Sequence, residues 1–156
     1  MSTPRKSQAT SFPLMLDDAL CFALYSTSLT MSKVYKPHLE ALGLTYPQYV
    51  VMLALWAGDG LSVSELGEQL CLDSGTLTPL LKRLEANGLL ERVRDTQDER
   101  VVRIFLTSGG RQLARKASDI PEFIRCATRC SQPELRHLNR TLLELRESLV
   151  QSLEGA

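Results

Sequence analysis

Ser64-Glu-Leu-Gly-Glu-Gln-Leu70-Cys-Leu-Asp73-Ser-Gly-Thr-Leu-Thr-Pro-Leu-Leu-Lys-Arg-Leu-Glu-Ala-Asn-Gly88 reads as two short helices joined by a tight turn. Ser64 is a cap for the first, which runs from Glu65 to about Leu70 with acidic residues near its start, where the helix dipole favours them. Cys71-Leu72-Asp73 forms the turn. The second helix, Ser74 to about Asn87, puts Leu77, Leu80, Leu81 and Leu84 on one face, and Gly88 stops it. Pro79 falls in its early turns, where proline costs least. The open side carries Ser74, Thr76, Thr78, Lys82 and Arg83. Directly after Gly88, two apolar or alternating runs, Leu89 to Arg94 and Val101 to Leu106, flank the polar tip Asp95-Thr-Gln-Asp-Glu-Arg100, as in a β-hairpin. A helix-turn-helix followed at once by a hairpin is a winged helix.

Upstream, residues 14 to 42 are apolar at helical spacing through Leu16, Leu20, Leu24, Met31 and Val34. Pro37 is expected to break or bend that helix near its end, and Gly43 to stop it. Thr45 caps a second helix with Pro47 in its first turn. Downstream, Thr107 caps a helix that Pro121 bends or interrupts. If the helix resumes, Cys126 and Cys130, four apart, share a face. Ser131-Gln-Pro-Glu134 is a capping box for a last helix. Its residues Leu135, Leu138, Leu142, Leu145 and Leu149 form a narrow seam at steps of three and four, suited to helix–helix association. The seam can pack on its own domain or on a second copy, and its distance along the chain from the winged core favours the second copy. The expected fold is thus mainly α with a small β-hairpin wing, in one domain over 1–156. A winged helix-turn-helix lobe spans 46–106, and helical dimerisation regions span 14–45 and 107–153.

The 156 residues are 44% hydrophobic, enough for one domain with a core, and no apolar run reaches bilayer length. The polar opening, Met1 to Pro13, lacks the apolar centre of a secretory leader, so a cytoplasmic protein with no membrane partner is expected. Cysteines 21, 71, 126 and 130 match no zinc spacing, only His38 and His137 could assist, and no metal or cofactor is expected. Eighteen basic residues balance eighteen acidic ones, so any nucleic-acid contact must be local. Residues 74 to 103 are only weakly basic.

Cys21 opens an apolar helical segment and is followed by Tyr25, one turn on, then by Tyr35 and Tyr46. Phenolic O–H groups can donate to a thiolate and stabilise it, so the arrangement suits a peroxide sensor. On residue chemistry alone a packing cysteine among core aromatics is the simpler reading.

The order of elements resembles the MarR family of winged-helix repressors. Leu70 to Glu85, Asn87-Gly-Leu-Leu90, and Asp98-Glu-Arg100 leading to Leu106-Thr107 and Gly110 carry the likeness, which spans about residues 14 to 153. Within that family the chain is similar to the organic-hydroperoxide-sensing (OhrR) group, two-cysteine type. Cys21-Phe-Ala-Leu-Tyr25 matches the sensing motif, Tyr35 and Tyr46 fall at the other sensing tyrosines, and Cys126 falls at the resolving cysteine. The likeness turns the balance toward the sensor reading. It implies a non-enzymatic repressor that binds double-stranded operator DNA as a reduced homodimer. With the second helix in the major groove, Ser74, Thr76 and Thr78 would reach phosphates or base edges, Lys82 and Arg83 phosphates, and Arg94 and Arg100 the minor groove, with Asp98 supporting the wing arginines. It also implies that organic hydroperoxide oxidises Cys21, which then forms a disulfide with Cys126 of the other subunit. Cys71 lies outside the pattern as a packing residue beside the turn, and Cys130 is an extra thiol. Two rivals stand beside this: a repressor of the same fold gated by a phenolic or aromatic ligand with Cys21 inert, and a thiol peroxidase, whose alternation of strands and helices is absent here.

Overall fold

A computed structural model describes residues 15–156, so the polar opening segment used above to argue for the cytoplasm lies outside the described residues. The chain divides into two compact units at Lys33/Val34, inside the first long helix. Ahead of that boundary lie a single turn of 3-10 helix, Leu16–Asp18, and the first turns of α1 (Leu20–Glu40). Most of their side chains are exposed, including Leu20, Leu24 and Leu29.

The second unit holds the end of α1, then α2 (Tyr46–Ala57), α3 (Val63–Leu70), α4 (Ser74–Ala86), β1 (Leu90–Arg94), β2 (Val102–Leu106), α5 (Ser108–Lys116), α6 (Ile120–Thr128) and α7 (Gln132–Glu154). Local chemistry sets most of these bounds. Thr45 and Gln48 form a reciprocal capping box at the head of α2, with bonds of 3.4 and 2.9 Å. Asp73 accepts from the Thr76 amide at 2.7 Å and starts α4, and Gly88, at φ +72°, lets the chain leave it. The strands pair antiparallel with Leu90 opposite Leu106 and Arg94 opposite Val102, so the expected hairpin wing is present.

Several expectations need correction. The cap of α3 is Ser62, not Ser64: its hydroxyl accepts from the Glu65 amide while Glu65 accepts from the Ser62 amide at 2.6 Å. Ser64 has Gly67 at the equivalent place, which offers no side chain to close the box. Pro37 does not break α1, which runs on to Glu40 although the ring leaves the Lys33 carbonyl without an N–H partner four residues on, and Gly43, at φ +70°, makes the exit. Cys126 and Cys130 do not share a helix face, because α6 ends at Thr128 and Arg129 turns left-handed at φ +57°. Cys71 is exposed at φ +55°, where it ends α3, and is not a packing residue.

The core lies where α2, α3, α4 and the hairpin meet. Leu39, Val51, Met52, Leu55, Leu66, Leu77, Leu81, Leu84, Leu90 and Ile104 are fully buried, each such side chain worth about 1.5–3 kcal/mol relative to exposure. Leu80, expected with them, is only half-buried. In contrast, α7 has no buried residue, and Leu138, Leu142 and Leu149 of its seam are 40–56% exposed.

Candidate functional site

The outward side of α4 presents Ser74, Thr76, Lys82 and Arg83 to solvent, with Thr78 half-buried. Lys82 and Arg83 have no acidic partner among the described residues, so their charges are available to an anion. At the wing tip, Arg100 donates from its backbone amide and its Nε to Asp98 Oδ1, each at 3.1 Å, while its side chain stays 91% exposed. Arg94 reaches across the hairpin and donates to the Glu99 carbonyl at 3.1 Å. The tip is therefore a small loop braced by two of its own arginines.

Sequence reasoning missed the residue that holds the wing at its base. Arg103 donates from Nε to Asp95 Oδ2 at 2.6 Å and from Nη1 to the Gly60 carbonyl at 3.2 Å, and Glu65 lies at 3.7 Å. It ties both strands of the hairpin to the start of α3. The one available hint is an arginine interrupting an otherwise apolar strand. Asp59, in the loop between α2 and α3, also went unremarked; it accepts from the Leu106 amide at 2.8 Å and from Arg111 at 2.9 Å. Hydrogen bonds from the Gln97 amide and then from Arg103 hold the Asp95 carboxyl below the ordinary carboxylate range. A carboxyl lowered by folding stabilises the fold fully above its unfolded value and loses that effect as pH falls through the lowered one. Asp95→Asn should therefore flatten the acid limb of a melting-temperature profile below about pH 4, and an unchanged limb would remove Asp95 from the linkage.

The sensing residues fall in both units. Cys21 and Tyr25 lie one turn apart on α1, both exposed. In the second unit Tyr35 packs against Tyr46, ring centroids 5.1 Å apart, and against Tyr49 at 5.8 Å. Burial, then the neighbouring phenols of Tyr46 and Tyr49, push Tyr35 up to about 12. It stays a protonated donor throughout the neutral range. Tyr49, which the sequence reading passed over, is the buried centre of the group; its place one turn after Tyr46 is the hint. Tyr49 also packs on Trp56, whose Nε1 donates to the Gly110 carbonyl at 2.9 Å.

On α6, the exposed Cys126 donates its thiol proton to Glu122 Oε1 at 3.6 Å, and Arg125 Nη2 donates to the sulfur at 3.7 Å. The half-buried Cys130 instead donates to the Thr128 carbonyl. All four thiols are free. Among the described residues no helix is long and apolar enough to cross a membrane.

The family model for the transcriptional regulator SarA/Rot matches residues 33–117. The organic hydroperoxide resistance transcriptional regulator of Bacillus subtilis (strain 168) is 49% identical over 138 residues, 88% of this chain and 94% of that protein. Among solved structures, reduced AbfR bound to DNA superposes with a TM-score of 0.72 at 34% identity, over 86% of this chain and 93% of that one. Disulfide-formed AbfR gives 0.58 at 35%, over 83% and 91%. AbfR comes from Staphylococcus epidermidis.

Proposed function

The chain belongs to the SarA/Rot family of MarR-like winged-helix transcriptional regulators, and from that premise we propose that it is a cytoplasmic redox-sensing repressor, a homodimer that binds operator DNA when reduced and lets go when organic hydroperoxide oxidises Cys21. The observation that carries this reading is the pairing of Cys21 and Tyr25 on one exposed turn of α1, in a chain 49% identical to an organic hydroperoxide resistance regulator.

For DNA, the exposed face of α4 supplies short polar side chains for base edges and phosphates, and two free cations for phosphates. Two copies of α4 would enter successive major grooves roughly 34 Å apart, with the wing arginines in the flanking minor grooves, where a narrow groove attracts arginine. Asp98 shapes the tip by holding Arg100, and Arg103 sets the angle of the whole wing. The uncovered seam of α7 supports pairing with a second copy, since the single chain leaves it in water. Arg94→Ala should weaken operator binding and flatten its log–log salt dependence by about one unit, because each lost phosphate contact releases one counterion fewer. Unchanged affinity and slope would take Arg94 out of the interface.

For sensing, the Cys21 thiolate attacks the peroxide. An S–O bond forms, the O–O bond breaks, an alcohol leaves, and Cys21 becomes a sulfenic acid. Tyr25, Tyr35 and Tyr46 are the phenols proposed to donate to the thiolate. The apolar side chains Phe22, Leu24 and Met31 favour bulky organic peroxides over hydrogen peroxide. The Cys126 thiol of the other subunit then displaces the sulfenic oxygen as water, leaving an intersubunit disulfide. That bond needs Cα atoms within about 7 Å, so any wider separation in the reduced dimer must close by moving α6, which would rotate the winged lobes out of register with the operator. The test is a non-reducing gel after peroxide treatment. Oxidised wild type should run as a covalent dimer and Cys126→Ser as a monomer that regains DNA binding only in part when reductant follows a large dose. A covalent dimer persisting in Cys126→Ser would shift the role to Cys130, and none in wild type would leave Cys21 acting alone.

A further inference from the structure

The resolving step proposed above makes the Cys126 sulfur a nucleophile that gathers negative charge as it attacks. Cys126 lies in the last turn of α6 (Ile120–Thr128), where the carbonyl end of the helix dipole disfavours negative charge. The sulfur is also within hydrogen-bonding distance of a carboxylate, Glu122 Oε1 at 3.6 Å. Among the described residues, the cation in contact with the sulfur is the Arg125 guanidinium, 3.7 Å away through Nη2, and it offsets both. Arg125 is fixed in place by Glu122, to which its Nε donates at 2.8 Å, with Nη2 donating to the other carboxylate oxygen. Its side chain is only 31% exposed, against 63% for Glu122. The bonds it donates to Glu122, then the Glu122 charge, then the Cys126 sulfur all hold Arg125 protonated, and Arg125 in turn holds the Glu122 carboxyl below its ordinary range.

We propose that Arg125 is the residue that activates Cys126 as the resolving thiol, and that Glu122 positions Arg125 while damping it. The inference rests on the redox reading above and assigns roles that reading leaves open. As Cys126 attacks the Cys21 sulfenic acid produced by organic hydroperoxide, its proton passes to the sulfenic oxygen. The sulfur's growing charge is met by Arg125, the S–S bond forms, the S–O bond breaks, and the sulfenic oxygen departs as water with the thiol proton. The carboxylate neutralises much of the guanidinium charge and so holds down the reactivity of the thiol. The arrangement predicts opposite effects from the two partners. Loss of Arg125 leaves a bare carboxylate beside the sulfur. Loss of the Glu122 charge leaves an undamped cation there.

The test uses the full chain with Cys21→Ser, Cys71→Ser and Cys130→Ser, so that Cys126 is the sole thiol, and follows its alkylation by iodoacetamide at a fixed neutral pH. Iodoacetamide reacts with the thiolate alone. Relative to this parent, Arg125→Ala should react more slowly and Glu122→Gln faster, each on the order of threefold, as suits a partly exposed charge pair. Arg125→Lys, which keeps the cation, should stay near the parent rate. Matching thermal melts would exclude unfolding as the cause. Rates that move in the same direction for Arg125→Ala and Glu122→Gln, or that do not move, overturn the proposal. A parallel series keeping Cys21 and Cys126 reads the rate of peroxide-driven disulfide formation and should rank the variants in the same order. If alkylation follows that order but no variant forms an intersubunit disulfide, the activation of Cys126 stands and its resolving role falls.

Discussion

Cys21→Ser protein should hold its operator through a dose of organic hydroperoxide that frees the wild type completely. Serine differs from cysteine by one atom and Cys21 is exposed on α1, so the exchange removes no core packing and reduced-state affinity should be unchanged. The hydroxyl is far less acidic than a thiol and does not attack the peroxide O–O bond, so the chain of events has no first step. The expected effect is all or none: a titration of labelled operator shows release for wild type, reversed by reductant, and no release for the mutant. Release of Cys21→Ser by peroxide would end the sensor reading. Release of Cys21→Ala by a phenolic or aromatic compound would establish instead the ligand-gated repressor, in which the thiol is a bystander. A turnover assay with a thiol reductant would expose peroxidase chemistry, which nothing in a helical chain of this family leads one to expect.

The second large effect concerns stability. Gly110 lies in the first turn of α5, just behind the hairpin, and a Cβ there would stand 2.0 Å from the Leu89 carbonyl oxygen, 3.1 Å from its carbon and 3.2 Å from Leu106 Cδ2. Two of those neighbours are backbone and cannot rotate away. The Gly110 carbonyl is itself held by Trp56 Nε1 at 2.9 Å, so α5 cannot back off without losing that bond. Gly110→Ala should therefore cost about 3 kcal/mol or more, at the upper end of overpacking effects. For a chain of this size that corresponds to a melting temperature lower by roughly 10 °C. Gly88→Ala is a useful contrast, because nothing lies within 4 Å of its Cβ and the penalty is confined to its φ of +72°. If Gly110→Ala melts no lower than Gly88→Ala, the close approach of α5 to the hairpin is wrong. Loss of operator binding in Gly110→Ala should track the unfolded fraction, which separates it from Arg94→Ala, whose fold should stay intact.

Much of the architecture was legible because its causes are local. Asp73 capping α4, Thr107 capping α5, the box at Ser131 and Glu134, and the glycine exits at Gly43 and Gly88 each involve residues within four or five positions of one another. The apolar spacing of Leu77, Leu81 and Leu84 identified the buried face of α4 for the same reason: helical periodicity writes burial directly into sequence. The misplaced start of α3 was a local matter as well, settled by which serine has a glutamate three residues on.

What the sequence determined by itself is the set of helices and the hairpin, with the polar face of α4 and the thiol positions, since each depends on near neighbours along the chain. Tertiary structure decided the rest. Arg103 is a wing anchor only because Gly60, 43 residues away, brings a carbonyl to it. Gly110 admits no side chain because the hairpin folds its backbone against α5, and it is clasped by Trp56 from 54 residues off. Tyr49 shares a face with Tyr46 by its spacing, but it became the centre of the phenol group because α1 brings Tyr35 against it. Cys130 left the face of Cys126 through a left-handed turn at Arg129, a residue type that seldom adopts one and so gives no warning in the sequence.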